Sequence, residues 1–289
     1  MRLCSVVIDH DEVAAIDVAG RGVVQLSAVD ADAPVDLLNV IGVLSAQRLD
    51  TWSQRVAGLA DDAFVDPVTL RWAPPYRHPP KLWGIGLNYV DHADDLAAAH
   101  PTAPASFMKG DHTIIGPGEP IILPVQSRRV TAEGELGIVI GRECRNVEEA
   151  DALEHVAGVC CVLDQTAEDI LQENPRFLTR AKNFPTFFAF GPHLVTMDEV
   201  LARFDSLADI VVGTYCNGAL QRQNAVANML YSPQMLISFH SKVMPLLPGD
   251  VISTGTPGAV VISDGDLAEC RISGIGSLVN PVVGAAGID

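Results

Sequence analysis

The sequence predicts a strand-rich α+β protein, and three features support that prediction. From Lys81 onward, short apolar runs of strand length alternate with turns that contain Gly or Pro. A few short helical patterns lie among them without the regular strand–helix alternation of a doubly wound sheet or a TIM barrel. The segment 73–80, APPYRHPP, has four prolines in eight residues, which is typical of a stiff linker. We therefore expect a small N-terminal α+β domain over 1–75 and a β-rich domain over 76–289.

The secondary structure follows from the spacing of apolar residues. In the N-terminal part, residues 3–27 indicate two or three strands with a Gly-containing turn, and residues 35–59 have apolar residues at helical spacing. Strands are predicted further along the chain within 81–89, 120–124, 134–141, 157–164, 210–218, 250–255 and 267–282. Helices are predicted at 91–99, 147–156, 167–173 and 229–242.

Composition excludes several classes of partner. The chain is 48% hydrophobic and 19% charged, enough apolar residues for a core and an argument against disorder. Its net charge of −17 disfavours nucleic acid and anionic membranes, which both require a basic surface. The six cysteines form no C-x-x-C pair and indicate neither a zinc site nor a disulfide framework. With no signal peptide or transmembrane pattern, we expect a cytoplasmic protein.

Two acidic residues stand either side of a glycine in TAEGELGIVIG. Because side chains alternate along a strand, Glu133 and Glu135 point to the same face. A cation between them is one explanation, and a solvated edge strand is the other. Asp164, which ends the apolar run AGVCCVLD, is the best third ligand by position. Three carboxylates suit a hard divalent cation such as Mg²⁺, Mn²⁺ or Ca²⁺.

A histidine and an acid are three residues apart in GLNYVDHADDL. His92 and Asp95 would share one helical face, where a carboxylate raises the basicity of an imidazole, as a general base requires. The alternative is a helix start enriched in acids that favour the helix dipole.

Two lysines and a threonine are further candidates. Lys182 stands in an aromatic stretch, and Lys109 in SFMKGDHTIIGPG; each either pairs with an anion or extends its ammonium to solvent. Thr256 lies in STGTPGAV, where a hydroxyl and backbone N–H groups could bind a carboxylate, although a plain turn explains the pattern equally well.

Eight motifs occur in an order that resembles the fumarylacetoacetate hydrolase family, from about Lys81 to Val283. They are GIGLNYVDHADD, FMKGDHTIIGPGEPIILP, EGELGIVIGR, VAGVCCVLDQTAEDI, AKNFPTFFAFGP, CNGALQRQ, LLPGDVISTGTP and GIGSLVNPVV. The resemblance implies a mixed β-roll or sandwich domain, usually in a homodimer and often preceded by a small N-terminal domain.

The resemblance also implies roles for individual residues. Glu133, Glu135 and Asp164 match the family's metal ligands. Lys182 matches a lysine that binds substrate or an oxyanion, and Thr256 matches a threonine that binds a substrate carboxylate. His92 matches the histidine that activates water in hydrolytic members, oriented by an acid three residues later.

Three positions depart from the family pattern. Asp95 is one methylene shorter than the usual Glu. Glu168 replaces an Arg of many members, which predicts an altered preference for a second substrate carboxylate. The STGTPGAV loop is shorter and poorer in glycine than the common form.

The expected activity is metal-dependent hydrolysis of a C–C bond in a 2,4-dioxo acid of the acylpyruvate or fumarylpyruvate type, as in aromatic compound catabolism. Decarboxylation or isomerisation of a 2-oxo diacid is the alternative reaction. A binding protein that retains the fold is the non-enzymatic alternative.

Overall fold

The structure is a computed structural model that describes residues 1–89 and 101–284. The strands are Arg2–Ile8 (β1), Asp11–Val18 (β2), Gly22–Gln25 (β3), Trp72–Ala73 (β4), Leu82–Gly86 (β5), Ala105–Met108 (β6), Ile114–Ile115 (β7), Ile121–Leu123 (β8), Val130–Ile140 (β9), Val156–Ala167 (β10), Phe188–Thr196 (β11), Val211–Cys216 (β12), Ala219–Ala225 (β13), Val251–Ser253 (β14), Val260–Ile262 (β15), Leu267–Ile272 (β16) and Gly276–Gly284 (β17). The α-helices are Leu26–Val29 (α1), Leu37–Gly42 (α2), Ala46–Gly58 (α3), Glu168–Glu173 (α4), Leu178–Lys182 (α5), Met197–Arg203 (α6) and Pro233–Val243 (α7).

The strands of the described residues form two sheets. The larger has the order β3-β2-β1-β11-β10-β9-β14-β5-β6, with β4, β7 and β15 paired at its flanks. The smaller has the order β13-β12-β16-β17-β8. The strand-rich α+β class predicted from the sequence is confirmed.

The long strands β9 and β10 form the centre of the larger sheet and have two different faces. Alternate residues of β9, such as Ala132, Leu136 and Ile138, enter a core shared with the smaller sheet, including Leu278. The residues between them, Glu133 and Glu135 among them, therefore lie on the opposite face. The sheet thus has an apolar face toward the second sheet and a face that carries carboxylates.

The N-terminal residues pack on the carboxylate-bearing face of the larger sheet. Val139 lies four residues after Glu135 on β9 and therefore on the same face. It belongs to a core cluster that contains Leu37, Ile41 and Trp52. Strand β1 also pairs with β11, with Leu3 opposite Leu194. Residues 1–75 therefore share one sheet with the rest of the chain. The domain boundary near residue 75 stays a prediction.

The proline-rich segment 73–80 is packed against the protein for half of its length. Residues 73–76 are buried. The hydroxyl of Tyr76 donates to the carbonyl of Gly249 over 3.0 Å, and Ser5 Oγ donates to Pro75 O over 2.8 Å. The first half of the connection that we expect to be stiff is fixed by these contacts at Pro75 and Tyr76.

Two of the four predicted helices correspond to observed α-helices, and a third corresponds to a 3₁₀ helix. The 167–173 prediction corresponds to α4. The 229–242 prediction begins four residues early, because Ser232 caps α7 by accepting from the backbone N–H of Met235 over 3.1 Å. Residues within 147–156 form a 3₁₀ helix, Glu149–His155, instead of an α-helix. The fourth prediction, 91–99, lies outside the described residues.

Two expectations about buried and apolar residues can be compared with the structure. All six cysteines are free thiols, and five of them are buried, as expected for small apolar side chains in a core. Within residues 1–89 and 101–284, each helix is too short or too polar to cross a bilayer.

Candidate metal centre and active site

The three carboxylates singled out in the sequence come together in space. Glu133 and Glu135 lie on β9, and Asp164 stands directly opposite Glu133 on β10. One carboxylate oxygen from each residue lies within 4.8 Å of the other two, and all three residues are buried. The solvated-edge alternative for Glu133 and Glu135 is therefore wrong, because β9 is an interior strand.

The glycine between the two glutamates is required by the second sheet. Gly134 points away from the carboxylates, and its backbone N–H donates to Thr214 Oγ1 over 2.9 Å. A Cβ on Gly134 would lie 2.8 Å from Thr214 Oγ1 and 3.1 Å from the carbonyl oxygen of Gly213. The E-G-E pattern thus combines two ligands on one face with close sheet packing on the other.

Hydroxyl and backbone groups fix the orientation of the two glutamates. Thr166 and Thr131 both donate to Oε1 of Glu133, over 2.5 Å and 3.2 Å. Ser253 Oγ and the backbone N–H of Gly255 donate to Oε2 of Glu135, over 2.5 Å and 2.9 Å. These contacts hold the carboxylates in place, as the supporting groups around a metal site do.

Two buried lysines contact the carboxylates. Nζ of Lys182, at the end of α5, lies 2.9 Å from Glu133 Oε2 and 3.1 Å from Asp164 Oδ2. Nζ of Lys109, after β6, lies 2.6 Å from Asp164 Oδ1. The side chains of Lys109 and Lys182 are 0% and 6% exposed. The alternative in which these ammonium groups extend to solvent is therefore wrong for both.

The two lysines differ in the pKa that their surroundings impose. Burial and the neighbouring Lys182 lower the pKa of Lys109 to about 8, although Asp164 opposes them. Burial also acts to lower the pKa of Lys182, but Asp164, Glu133 and Glu135 outweigh it and raise that pKa above its usual range. Lys182 is therefore the cation that stays charged at every physiological pH.

The carboxylate set fits a hard divalent cation. Burial, together with the charges of Asp164 and Glu133, raises the pKa of Glu135 to about 8. Three carboxylates this close are costly without compensating positive charge. Oxygen donors of this kind suit Mg²⁺, Mn²⁺ or Ca²⁺, and the donor set contains neither the thiolates nor the imidazoles of a zinc site.

Thr256 lies in the loop that follows β14 and is engaged in its own turn. Its hydroxyl donates to the carbonyl of Gly258 over 3.1 Å and accepts from the Gly258 N–H over 3.2 Å. Gly255 has a φ of +97°, and a Cβ there would lie 2.8 Å from Cβ of Asn88. The loop is thus tightly fixed beside Glu135, while the role of Thr256 in substrate binding stays a prediction.

The segment that leads to His92 and Asp95 is anchored beside the same loop. The Asn88 amide donates to Thr254 O over 2.7 Å and to Tyr231 O over 3.0 Å, and its oxygen accepts from the Tyr231 N–H over 2.9 Å. His92 and Asp95 themselves lie outside the described residues. The dyad that they form in our sequence interpretation stays a prediction.

Sequence reasoning missed several groups that support the site. Thr131 and Thr166 lie two residues from a predicted ligand on the same strand face, so the period of two contained the signal. Ser253 and Asn88 gave no such signal, because they reach the site from strand and loop segments distant in sequence.

A cavity of about 650 Å³ lies elsewhere, on the smaller sheet, and its lining includes Arg2, Arg271 and Gly274. Its arginines are already paired, Arg2 with Glu199 and Arg271 with Glu269. The converging carboxylates and lysines therefore identify the site better than cavity volume does.

Comparisons with known proteins agree with this geometry. The sequence model of the fumarylacetoacetate (FAA) hydrolase C-terminal family matches residues 81–283. The human protein named oxaloacetate tautomerase FAHD2B, mitochondrial, is 32% identical over 278 residues, which cover 91% of this chain and 85% of that protein.

Two solved structures have the same fold over nearly the whole chain. One is a 5-carboxymethyl-2-hydroxymuconate delta-isomerase from Mycobacterium smegmatis, with 30% identity, a TM-score of 0.75 and coverage of 98% and 99% of the two chains. The other is maleylpyruvate hydrolase from Sphingobium sp. SYK-6 in complex with manganese and pyruvate, with 26% identity, a TM-score of 0.81 and the same coverage. The chain belongs to the fumarylacetoacetate hydrolase family, whose relatives named here are enzymes: a tautomerase, an isomerase and a hydrolase.

Proposed function

We propose that this chain is a divalent-metal-dependent hydrolase that cleaves a C–C bond in a 2,4-dioxo acid. The observation that carries the proposal is the buried ammonium of Lys182, fixed 2.9 Å from Glu133 and 3.1 Å from Asp164. A positive charge held beside a metal-type carboxylate set suits the negative charge that develops on a 2-oxo oxygen. The manganese and pyruvate in the maleylpyruvate hydrolase structure support the same class of substrate.

Glu133, Glu135 and Asp164 would hold the ion, for which Mg²⁺ is our first choice and Mn²⁺ or Ca²⁺ the alternatives. When bound, such an ion supplies Lewis-acid polarisation of the 2-oxo and carboxylate oxygens of the substrate. Ser253 and Thr166 would keep two of the ligands oriented through their short hydrogen bonds.

The remaining steps belong to protein side chains. His92, oriented by Asp95, would take a proton from water as its oxygen attacks the 4-oxo carbon. The bond between C3 and C4 then breaks, its electron pair moves toward C3 and the 2-oxo oxygen, and Lys182 stabilises that charge. C3 finally takes a proton, so one water is consumed and two acids are released. Lys109 and Thr256 would bind the substrate carboxylate.

A product-resolved assay tests the hydrolase proposal. The purified chain would be incubated with Mg²⁺ or Mn²⁺ in heavy-oxygen water, with acylpyruvates, fumarylpyruvate-type diacids and oxaloacetate as substrates. Hydrolysis predicts pyruvate and a second acid that carries one heavy oxygen, detected by mass spectrometry. Absence of metal-dependent turnover of every substrate would favour the binding-protein alternative.

Tautomerisation of an oxaloacetate-type 2-oxo diacid is the second candidate. It is favoured by the tautomerase relative, whose similarity covers 91% of this chain. This reaction needs a proton moved between carbon and oxygen but no attacking water. It predicts a faster decay of the enol absorbance of oxaloacetate with no change in mass, whereas decarboxylation would release CO₂.

A further inference from the structure

The ladder between β9 and β10 extends the carboxylate site toward the protein surface. Glu133 faces Asp164, and two residues further along Thr131 faces Thr166. One more step in the same register places Arg129 opposite Glu168, whose backbone N–H donates to Arg129 O over 2.9 Å. The side chains of the two inner pairs lie on one face of the sheet by the period of two. Arg129 and Glu168 continue this register just beyond the last residues of β9 and β10, Val130 and Ala167.

The outermost pair is joined by an ion pair that directs the guanidinium. Nε of Arg129 lies 2.5 Å from Glu168 Oε2, and Gln172 donates to the other carboxylate oxygen over 3.1 Å. The next acid, Asp169, accepts from Ser127 Oγ over 2.6 Å and from the Arg128 N–H over 2.9 Å. The segment 127–129, which leads into β9, is thus fixed to the start of α4.

The fixed guanidinium still has donors to offer. Among the described residues, the hydrogen bond of the Arg129 side chain uses Nε alone, and half of the side chain is exposed. Solvent exposure therefore increases along this register, from the fully buried Asp164 to the half-exposed side chain of Arg129. Nη1 and Nη2 form the fork that matches a carboxylate.

The spacing limits which ligands could use this group. Strands rise about 3.4 Å per residue, so the Cα atoms of Glu133 and Arg129 are separated by about 13–14 Å. Part of this gap is spanned by the arginine side chain. A short diacid such as oxaloacetate, held at the carboxylate site, has both acid groups too close together to reach the guanidinium. Only a longer diacid would be able to reach past the buried Thr131–Thr166 pair to Arg129.

We propose that Arg129, oriented by Glu168, binds the second carboxylate of the substrate. The preferred substrate would then be a 2-oxo diacid with a longer carbon chain than oxaloacetate. This inference rests on the proposed function, because it requires the 2-oxo end of the ligand to bind at Glu133, Glu135 and Asp164. Glu168 is a positioning residue in this arrangement.

Calorimetric titration of the full chain loaded with Mn²⁺ tests the inference without turnover. The probes are 2-oxoadipate and 2-oxohexanoate, which have equal length and differ in the distal carboxylate. We expect wild-type protein to bind 2-oxoadipate about 10-fold or more tightly than 2-oxohexanoate, as for a hydrogen bond to a charged group. Arg129→Gln should remove that preference and leave 2-oxohexanoate affinity within about twofold.

Two variants sharpen the comparison. Arg128→Gln removes the neighbouring exposed arginine and should keep the preference. Glu168→Gln should reduce the preference for 2-oxoadipate in part and leave the affinity for 2-oxohexanoate unchanged. Equal binding of the two probes by wild-type protein, or a preference that survives Arg129→Gln, would overturn the inference while leaving the proposed function intact. If neither probe binds, the 2-oxo acid site itself is refuted, and the inference with it.

Discussion

Glu133 and Asp164 are directly opposite each other in the β9–β10 ladder, and one ammonium group, Nζ of Lys182, lies within 3.1 Å of both side chains. The register of two strands thus decides which carboxylates meet, and a short helix supplies the cation that balances them. Because each group is held by its own strand or helix, the charges are in place before any ligand binds. Such preorganised charges can stabilise negative charge as it develops in a transition state.

Removal of Lys182 should destabilise the metal-free protein. In Lys182→Met, Glu133 and Asp164 lose their shared cation inside the protein, so we expect the free energy of unfolding to fall by about 3–5 kcal/mol. Urea denaturation after treatment with a chelator measures this loss. Saturating Mn²⁺ should restore part of it, since the ion replaces the missing charge. A variant as stable as wild type under both conditions would show that the ion pairs contribute nothing.

Gly134 should not tolerate a side chain. Gly134→Ala brings Cβ to 2.8 Å from Thr214 Oγ1 and 3.1 Å from Gly213 O, and overpacking of this kind costs about 1–3 kcal/mol. Gly58→Ala is the matched control, because a Cβ at that position at the end of α3 would meet nothing within 4 Å. Thermal unfolding of both variants is the measurement. Equal midpoints for the two would argue against close packing of the sheets at Gly134.

The stability of the protein in acid should depend on Glu119. Burial acts to raise its pKa, but Arg77, 2.9 Å away, and the Gly116 N–H outweigh it and hold the pKa below the ordinary 4.5. Stability from this group is therefore present above pH 4.5 and lost as the pH falls through the lower folded-state pKa.

Glu119→Gln tests this pH dependence. We expect it to cost roughly 0.5–1 kcal/mol at pH 7, because the pair is partly exposed, and to cost less at lower pH. Asp62→Asn, at an exposed position, is the control. Unfolding curves from pH 7 to pH 3 give the comparison, and a cost that does not diminish in acid would contradict this assignment.

His92 should matter far more for turnover than for stability. If His92 is the general base of hydrolysis, His92→Ala should lower kcat by roughly 10²–10⁴-fold. Asp95→Asn should also lower kcat. His78→Ala, whose side chain is exposed, should leave kcat unchanged. Unchanged hydrolysis in His92→Ala would exclude this base. Loss of hydrolysis with retained proton exchange at C3 would separate the water-activating step from enolisation.

The sequence alone was sufficient to select the three carboxylates of the site, because their positions follow from local patterns along the chain. Glu133 and Glu135 share a face because strands have a period of two, and Asp164 was found because it ends an apolar run in the sequence, although β10 itself continues to Ala167. The same rule fails where pairing is non-local. Leu3 pairs opposite Leu194, so nothing near residue 3 indicates that the N-terminal strands continue the sheet that carries the carboxylates.

Burial is the second property that the sequence leaves open. A lysine beside aromatic residues is compatible with either a solvated or a paired ammonium, and only the packing around Lys109 and Lys182 decides between them. Similarly, the helical spacing in 147–156 does not distinguish an α-helix from the 3₁₀ helix observed, since both place apolar residues three apart.

We expect Glu133, Glu135 and Asp164 to bind one divalent ion, and calorimetric titration with Mn²⁺ tests this expectation most directly. Wild-type protein should bind one ion per chain, and Asp164→Asn should weaken that binding by more than about 100-fold, since removal even of supporting groups costs 10–100-fold. Asp169→Asn, which alters an acid that contacts Ser127 and Arg128 instead, should bind as wild type does. Equal affinity in wild type and Asp164→Asn would contradict the assignment of the metal site.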